Sequence, residues 1–175
     1  MVTNQDNLIF QSLYTVLLIK ELNDAKQHDS TFFAGLPLSQ DVMSVIGEVG
    51  VDNQGCLLMF LYALLVIPRE VIEDTFKTEY NEIDKLLYTW KMKTVSTYDR
   101  EPPHKYIRHI RNAVAHGRVS FEPKVLVKFE DEYTDKKTKK LSKFSAEMPL
   151  SKVGEFLNLL IVVHQKYSAA RCRLP

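Results

Sequence analysis

Arg111, Asn112 and His116 stand just ahead of Gly117, with His104, Arg108 and His109 close upstream. Arginine presents a fixed fork of donors that suits phosphate oxygens. Histidine exchanges a proton near neutral pH. Asparagine can hold an imidazole or a substrate hydroxyl in place. Together these are the parts for cleaving a phosphodiester without a metal. A base takes the proton of a ribose 2′-OH, the oxygen attacks the adjacent phosphorus, and a cation steadies the negative charge. The competing reading is an ordinary surface arginine with a histidine near the negative end of a helix dipole.

The spacing predicts a helix from about His104 to His116, stopped by Gly117. Ile107, Ile110 and Val114 fall in one stripe and should face a core. Arg108, Asn112 and His116 run along another side at i, i+4 and i+8, and Arg111 falls on the flank of the apolar stripe. Ala113 and Ala115 are small enough to admit a second backbone. Arg111 and His116 lie roughly 140° apart around a straight helix. To act on one phosphate, the helix end must distort, the arginine must reach around, or a second copy must complete the site. A two-fold interface would set two Arg111 and two His116 side chains together, and this is the arrangement expected here.

Arg111-Asn112-Ala113-Val114-Ala115-His116-Gly117 resembles the signature of the HEPN superfamily: an arginine, a polar residue, then a histidine after a short interval. The trailing Ala115-His116-Gly117 is similar to small prokaryotic, including plasmid-encoded, members. The resemblance implies a helical bundle and a homodimer meeting through the Arg111–His116 helix. It implies a metal-independent endoribonuclease without cofactor, in a toxin–antitoxin or phage-defence setting, with an antitoxin protein as a possible partner. In that role Arg111 would neutralise the scissile phosphate, His116 would act as general base or acid, and Asn112 would orient it or the ribose. Some members are non-catalytic, so the alternative is a dimeric module that binds RNA, a nucleotide or a protein. A bound regulatory anion is a weaker third option.

The 175 residues suggest one domain, and 45% hydrophobic with 26% charged residues is ordinary for a globular protein. A net charge of +1 leaves RNA to a local patch, with no specificity for DNA expected. Lys136, Lys137, Lys139, Lys140 and Lys143 form that basic cluster. They are either a solvated hairpin tip or an arm that contacts phosphates. His104, Arg108 and His109 are further RNA-binding candidates, or solvated surface side chains. Cys56 and Cys172 form neither a disulfide framework nor a zinc spacing, and Cys56 opens an apolar run as a small buried hydrophobe. No metal-ligand spacing, phosphate-binding glycine loop or dinucleotide fingerprint is present, so no metal or cofactor is expected. No signal-peptide pattern opens the chain, and the run Cys56 to Ile67 is too short to span a bilayer. A cytoplasmic protein without membrane contact is expected.

The scaffold should be mainly α, with five to six helices and a small antiparallel β-ribbon at about 118–148 before the last helix. Apolar periodicity predicts helices from Asn7 to Ala25 and from Ser39 to Val49. The run to Ile67 should form a central helix, followed by a long amphipathic one from Pro68 to about Thr94. Segment 26–38 reads as a loop whose Phe32 and Phe33 tuck onto the core, and Ser96 to Pro103 as a linker. Val119 and Phe121, then Val125, Val127 and Phe129, alternate with polar residues, and Lys139 to Met148 does so less cleanly, which predicts two or three strands. Pro149-Leu-Ser151 starts the last helix, which runs to about Tyr167.

Overall fold

Thr3 opens the first helix with a capping box. Its backbone N–H and hydroxyl both donate to the Asp6 carboxylate at 2.8 Å, and its hydroxyl oxygen accepts from the Asp6 N–H at 3.1 Å. The computed structural model describes residues 3–28, 31, 35–49, 53–98, 105–122 and 125–172. In chain order these form α1 (Asn4–His28), α2 (Gln40–Val49) and α3 (Gln54–Leu61), then a π-helical turn (Tyr62–Val66). α4 (Arg69–Thr75), α5 (Lys77–Thr89), β1 (Lys93–Ser96) and α6 (Tyr106–Ala115) follow. β2 (Val119–Glu122), β3 (Leu126–Thr134), β4 (Leu141–Pro149) and α7 (Leu150–Cys172) complete the order. Among the described residues the chain is mainly helical, with one antiparallel sheet ordered β1-β4-β3-β2.

The apolar run at 56–67 is central, touching α1, α6 and α7. It buries Leu57, Leu61, Leu64 and Leu65, but Met59 and Tyr62 remain exposed. Its second half widens into a π turn, where the Ile67 N–H donates to the Tyr62 carbonyl at 3.1 Å. Pro68 has no N–H to offer the Leu64 carbonyl one α-turn back. The buried His164 of α7 takes that place, with Nε2 2.9 Å from the Leu64 oxygen. Burial pulls the His164 pKa down to about 4. The imidazole is therefore neutral and its Nε2–H is the donor.

The long helix expected from Pro68 to Thr94 is two helices. Phe76 takes a non-helical backbone (φ −113, ψ 35) between α4 and α5. α5 ends at Thr89, and Lys91 turns the chain with φ 51. Lys93–Ser96 then pairs with β4, with Lys93 opposite Glu147. The expected ribbon therefore gains a fourth strand from residues assigned to a helix end and a linker. Four residues of mixed polarity carry too little periodicity to reveal a strand whose partner lies about 50 positions away. With α4 and α5 separate, seven α-helices stand among the described residues, against five to six expected.

β3 and β4 bury one face. Val127 lies opposite Met148, Phe129 opposite Ala146, and Asp131 opposite Phe144, and all six side chains are buried. The turn between the strands is held by Asp135, whose carboxylate accepts from the Lys137 N–H at 2.9 Å and the Thr138 N–H at 2.6 Å.

α6 is seated at its start by Asp84 of α5, whose carboxylate accepts from the Ile107 N–H at 2.8 Å. Burial nevertheless pushes the Asp84 carboxyl up to about 6, the helix-end hydrogen bond opposing it only in part. A raised folded pKa means stability present below the unfolded value and lost as pH rises through about 6. Asp84→Asn keeps an acceptor without the buried charge. It should melt like wild type at pH 4 and be more stable at pH 7.5, by on the order of 1–3 kcal/mol. Equal shifts at both pH values, measured by thermal melting, would refute this.

Candidate functional site

α6 is enclosed on several sides. Tyr106, Ile107, Ile110, Ala113 and Val114 are buried in the core. Arg108, Ala115 and His116 are exposed, and Asn112 is half-buried. The predicted apolar stripe is present as read. Ala113 faces the core, so of the two alanines expected to admit a second backbone only Ala115 is at the surface.

The helix ends in a Schellman motif. The Arg118 N–H donates to the Ala113 carbonyl at 2.8 Å, and the Gly117 N–H to the Val114 carbonyl at 3.2 Å. Gly117 sits at φ +65, which glycine adopts without a Cβ penalty. His116 is the C-cap residue and its backbone has left the helix (φ −103, ψ 8). A Cβ on Gly117 would meet nothing within 4 Å. Gly117→Ala should therefore cost only the left-handed backbone, about 1 kcal/mol. Its denaturation midpoint should fall with an unchanged m-value, and no fall at all would contradict the cap.

Arg111 is buried and its guanidinium forms an ion pair with Glu73 of α4. Asn112 and His109 turn to the sheet, where both meet Asp131 of β3. One carboxylate oxygen, Oδ2, accepts from His109 Nδ1 at 2.8 Å, Asn112 Nδ2 at 3.1 Å and the Tyr98 hydroxyl at 3.3 Å. The His109 ring also stacks on Phe144, with centroids 4.2 Å apart and planes 14° apart. Burial raises the Asp131 carboxyl, but the hydrogen bonds from His109, Asn112 and Tyr98 together outweigh it and hold it below the ordinary value. An ionised carboxylate only accepts, so Asn112 must face it with its amide N–H.

His109 is therefore corrected from an RNA-contacting or solvated surface residue to a core histidine, only 2% exposed. Its partner lies on a strand 22 positions away, out of reach of helical periodicity. Asp131 was missed, although a signal existed. It continues the inward phase of Val127 and Phe129, where an acid is out of place unless it has donors. Lys136, Lys137, Lys139 and Lys140 are exposed at the β3–β4 hairpin tip, and Lys143 is exposed on β4. Cys56 is half-buried. His104, Phe32 and Phe33 lie outside the described residues.

One cleft borders α6 and another lies on the sheet, beyond the C-cap of that helix. The first, of about 290 Å³, opens at the N-terminal end of α6 beside Glu73, Lys77, Lys105 and Arg108. The other, of about 370 Å³, lies on the sheet between Arg118, Asp131, Glu132 and Lys143. Among the described residues no cluster of three or more His, Cys, Asp or Glu side chains could hold a metal ion. No helix among them is long and apolar enough to cross a membrane.

In chemical terms, α6 carries an exposed imidazole at its end and a guanidinium under a neighbouring carboxylate. A carboxylate-held amide lies between the two in sequence. The family model described as HEPN pEK499 p136 matches residues 3–169, a stretch that runs through the whole sheet. No curated protein and no solved structure matches the chain.

Proposed function

Because the chain belongs to the HEPN pEK499 p136 family, within the HEPN superfamily, we propose that it is a metal-independent endoribonuclease acting as a homodimer through α6. The observation that carries this reading is the placement of His116. It sits exposed on the C-cap of the helix that holds Arg111 and Asn112, where a second subunit and a substrate can reach it. Within one chain Arg111 turns inward to α4 while His116 faces solvent. A two-fold partner is the simplest way to bring both kinds of group to one phosphate.

In the proposed reaction His116 takes the proton of a ribose 2′-OH, and the resulting oxygen attacks the adjacent phosphorus. Arg111 stabilises the charge on the non-bridging oxygens, and a protonated imidazole returns a proton to the departing 5′ oxygen. The products are a 2′,3′-cyclic phosphate and a 5′-hydroxyl. Arg108 and the hairpin lysines Lys136, Lys137, Lys139 and Lys140 are the proposed contacts to flanking phosphates. A toxin–antitoxin or phage-defence setting, with an antitoxin as partner, suits such an activity.

A second reading is favoured by one observation: Arg111 and Asn112 are already bound inside the chain, to Glu73 and Asp131. On that reading the protein is a non-catalytic dimer that binds RNA, a nucleotide or a protein. RNA cleavage in EDTA with analysis of the product ends separates the two. Cyclic phosphate ends support the nuclease, and intact RNA at every protein concentration supports the binding module.

A further inference from the structure

The ion pair between Arg111 and Glu73 is unequal. The Arg111 side chain is 6% exposed and the Glu73 side chain 40%. Glu73 lines the cleft at the start of α6, together with Asp74, Lys77, Asp84, Lys105 and Arg108. The buried guanidinium thus meets the cleft through Glu73, its half-exposed partner, whose carboxylate serves as its lid.

We propose that Glu73 is a displaceable stand-in for the substrate phosphate, and that this cleft is the phosphate's route to Arg111. The proposal rests on reading Arg111 as the phosphate-binding cation. A carboxylate and a phosphodiester both offer two oxygens to the guanidinium fork, so one can replace the other on the same donors. Glu73 is already partly hydrated and leaves into water at modest cost. Arg111 is buried, so taking Glu73 away from it is costly unless another anion takes that carboxylate's place. Lys77, Lys105 and Arg108 stand at the same opening. They draw the phosphate in, and Lys77, four residues along the chain, can receive the departing carboxylate. The protein is then held weakly inhibited by its own acid until an RNA backbone competes for the guanidinium.

The test is binding of a fluorescein-labelled 2′-O-methyl RNA oligomer of random sequence, followed by anisotropy, with melting curves to show that each variant is folded. This probe lacks the attacking hydroxyl, so affinity is read apart from cleavage. Glu73→Gln should bind about tenfold more tightly than wild type, because an internal competitor and its charge are gone. Glu79→Gln on α5 makes the same charge change away from Arg111 and should not. In an Arg111→Gln background the gain from Glu73→Gln should vanish.

If Glu73→Gln does not fold, Glu73→Asp shortens the lid and should tighten binding by a smaller factor. Affinity equal to that of Glu79→Gln, a gain that survives Arg111→Gln, or no effect of Glu73→Asp overturns the proposal. Tightening that depends on Arg111, with no cleavage by any variant, removes the nuclease reading and keeps the lid. Cleavage by wild type with no tightening in Glu73→Gln removes the lid alone.

Discussion

His116→Ala is expected to lower RNA cleavage in EDTA by about a hundred- to ten-thousand-fold, the range in which a positioned acid or base contributes. Its melting temperature should barely move, since the side chain is exposed and its loss opens no cavity. Arg111→Ala should abolish cleavage as well, but with a loss of stability, because it leaves a cavity and breaks the pair with Glu73. The two variants together test the two-fold site. When they are mixed and allowed to exchange, a mixed dimer holds one intact Arg111 and one intact His116 on opposite subunits. If each site draws its arginine from one copy and its histidine from the other, one of the two sites in that dimer works. About a quarter of wild-type activity should then return at equal mixing, as half the dimers are mixed. No recovery would place both groups in a single chain. Unimpaired cleavage by His116→Ala would end the proposed mechanism.

Asp131→Ala is expected to destabilise the fold by about 3 kcal/mol, the upper end of the cost of leaving buried hydrogen-bond donors without their acceptor. The loss leaves the His109 ring and the Tyr98 hydroxyl without their carboxylate, and frees the Asn112 amide. Asp131→Asn should be milder, since the amide oxygen, with two lone pairs, still accepts from these donors, although without the charge. The pH dependence has a definite sign. The Asp131 carboxyl is held below its unfolded value. Its stabilisation is therefore present above the ordinary aspartate pKa and is lost as pH falls through the lowered one. The stability gap between wild type and Asp131→Asn should narrow in acid for that reason. Chemical denaturation at two pH values checks both statements. A variant as stable as wild type at pH 7 would show that the network contributes nothing.

The candidate site was legible in sequence to the extent that its parts are local. Ile107, Ile110 and Val114 announced the buried stripe of α6, and Gly117 announced its end, because helical period and left-handed caps depend on neighbours a few positions away. The inward phase of β3 and the start of α7 were readable on the same grounds. What Arg111, Asn112 and His109 actually touch was not. Glu73 lies 38 positions before Arg111 and Asp131 lies 19 positions after Asn112, so each pairing exists only once α4 and β3 have packed on α6.

β1 belongs with these distant pairings, since its four residues become a strand only through hydrogen bonds to β4. The sequence by itself therefore determined which residues form α6, where it stops, and that a guanidinium, an amide and an imidazole ride on it. Only the tertiary structure decided that the first two are tied to carboxylates of other elements while the third meets solvent. Backbone period and caps are set by steric and hydrogen-bonding contacts along a few residues of chain. The surroundings of a charge are set by whichever remote segments exclude water from it.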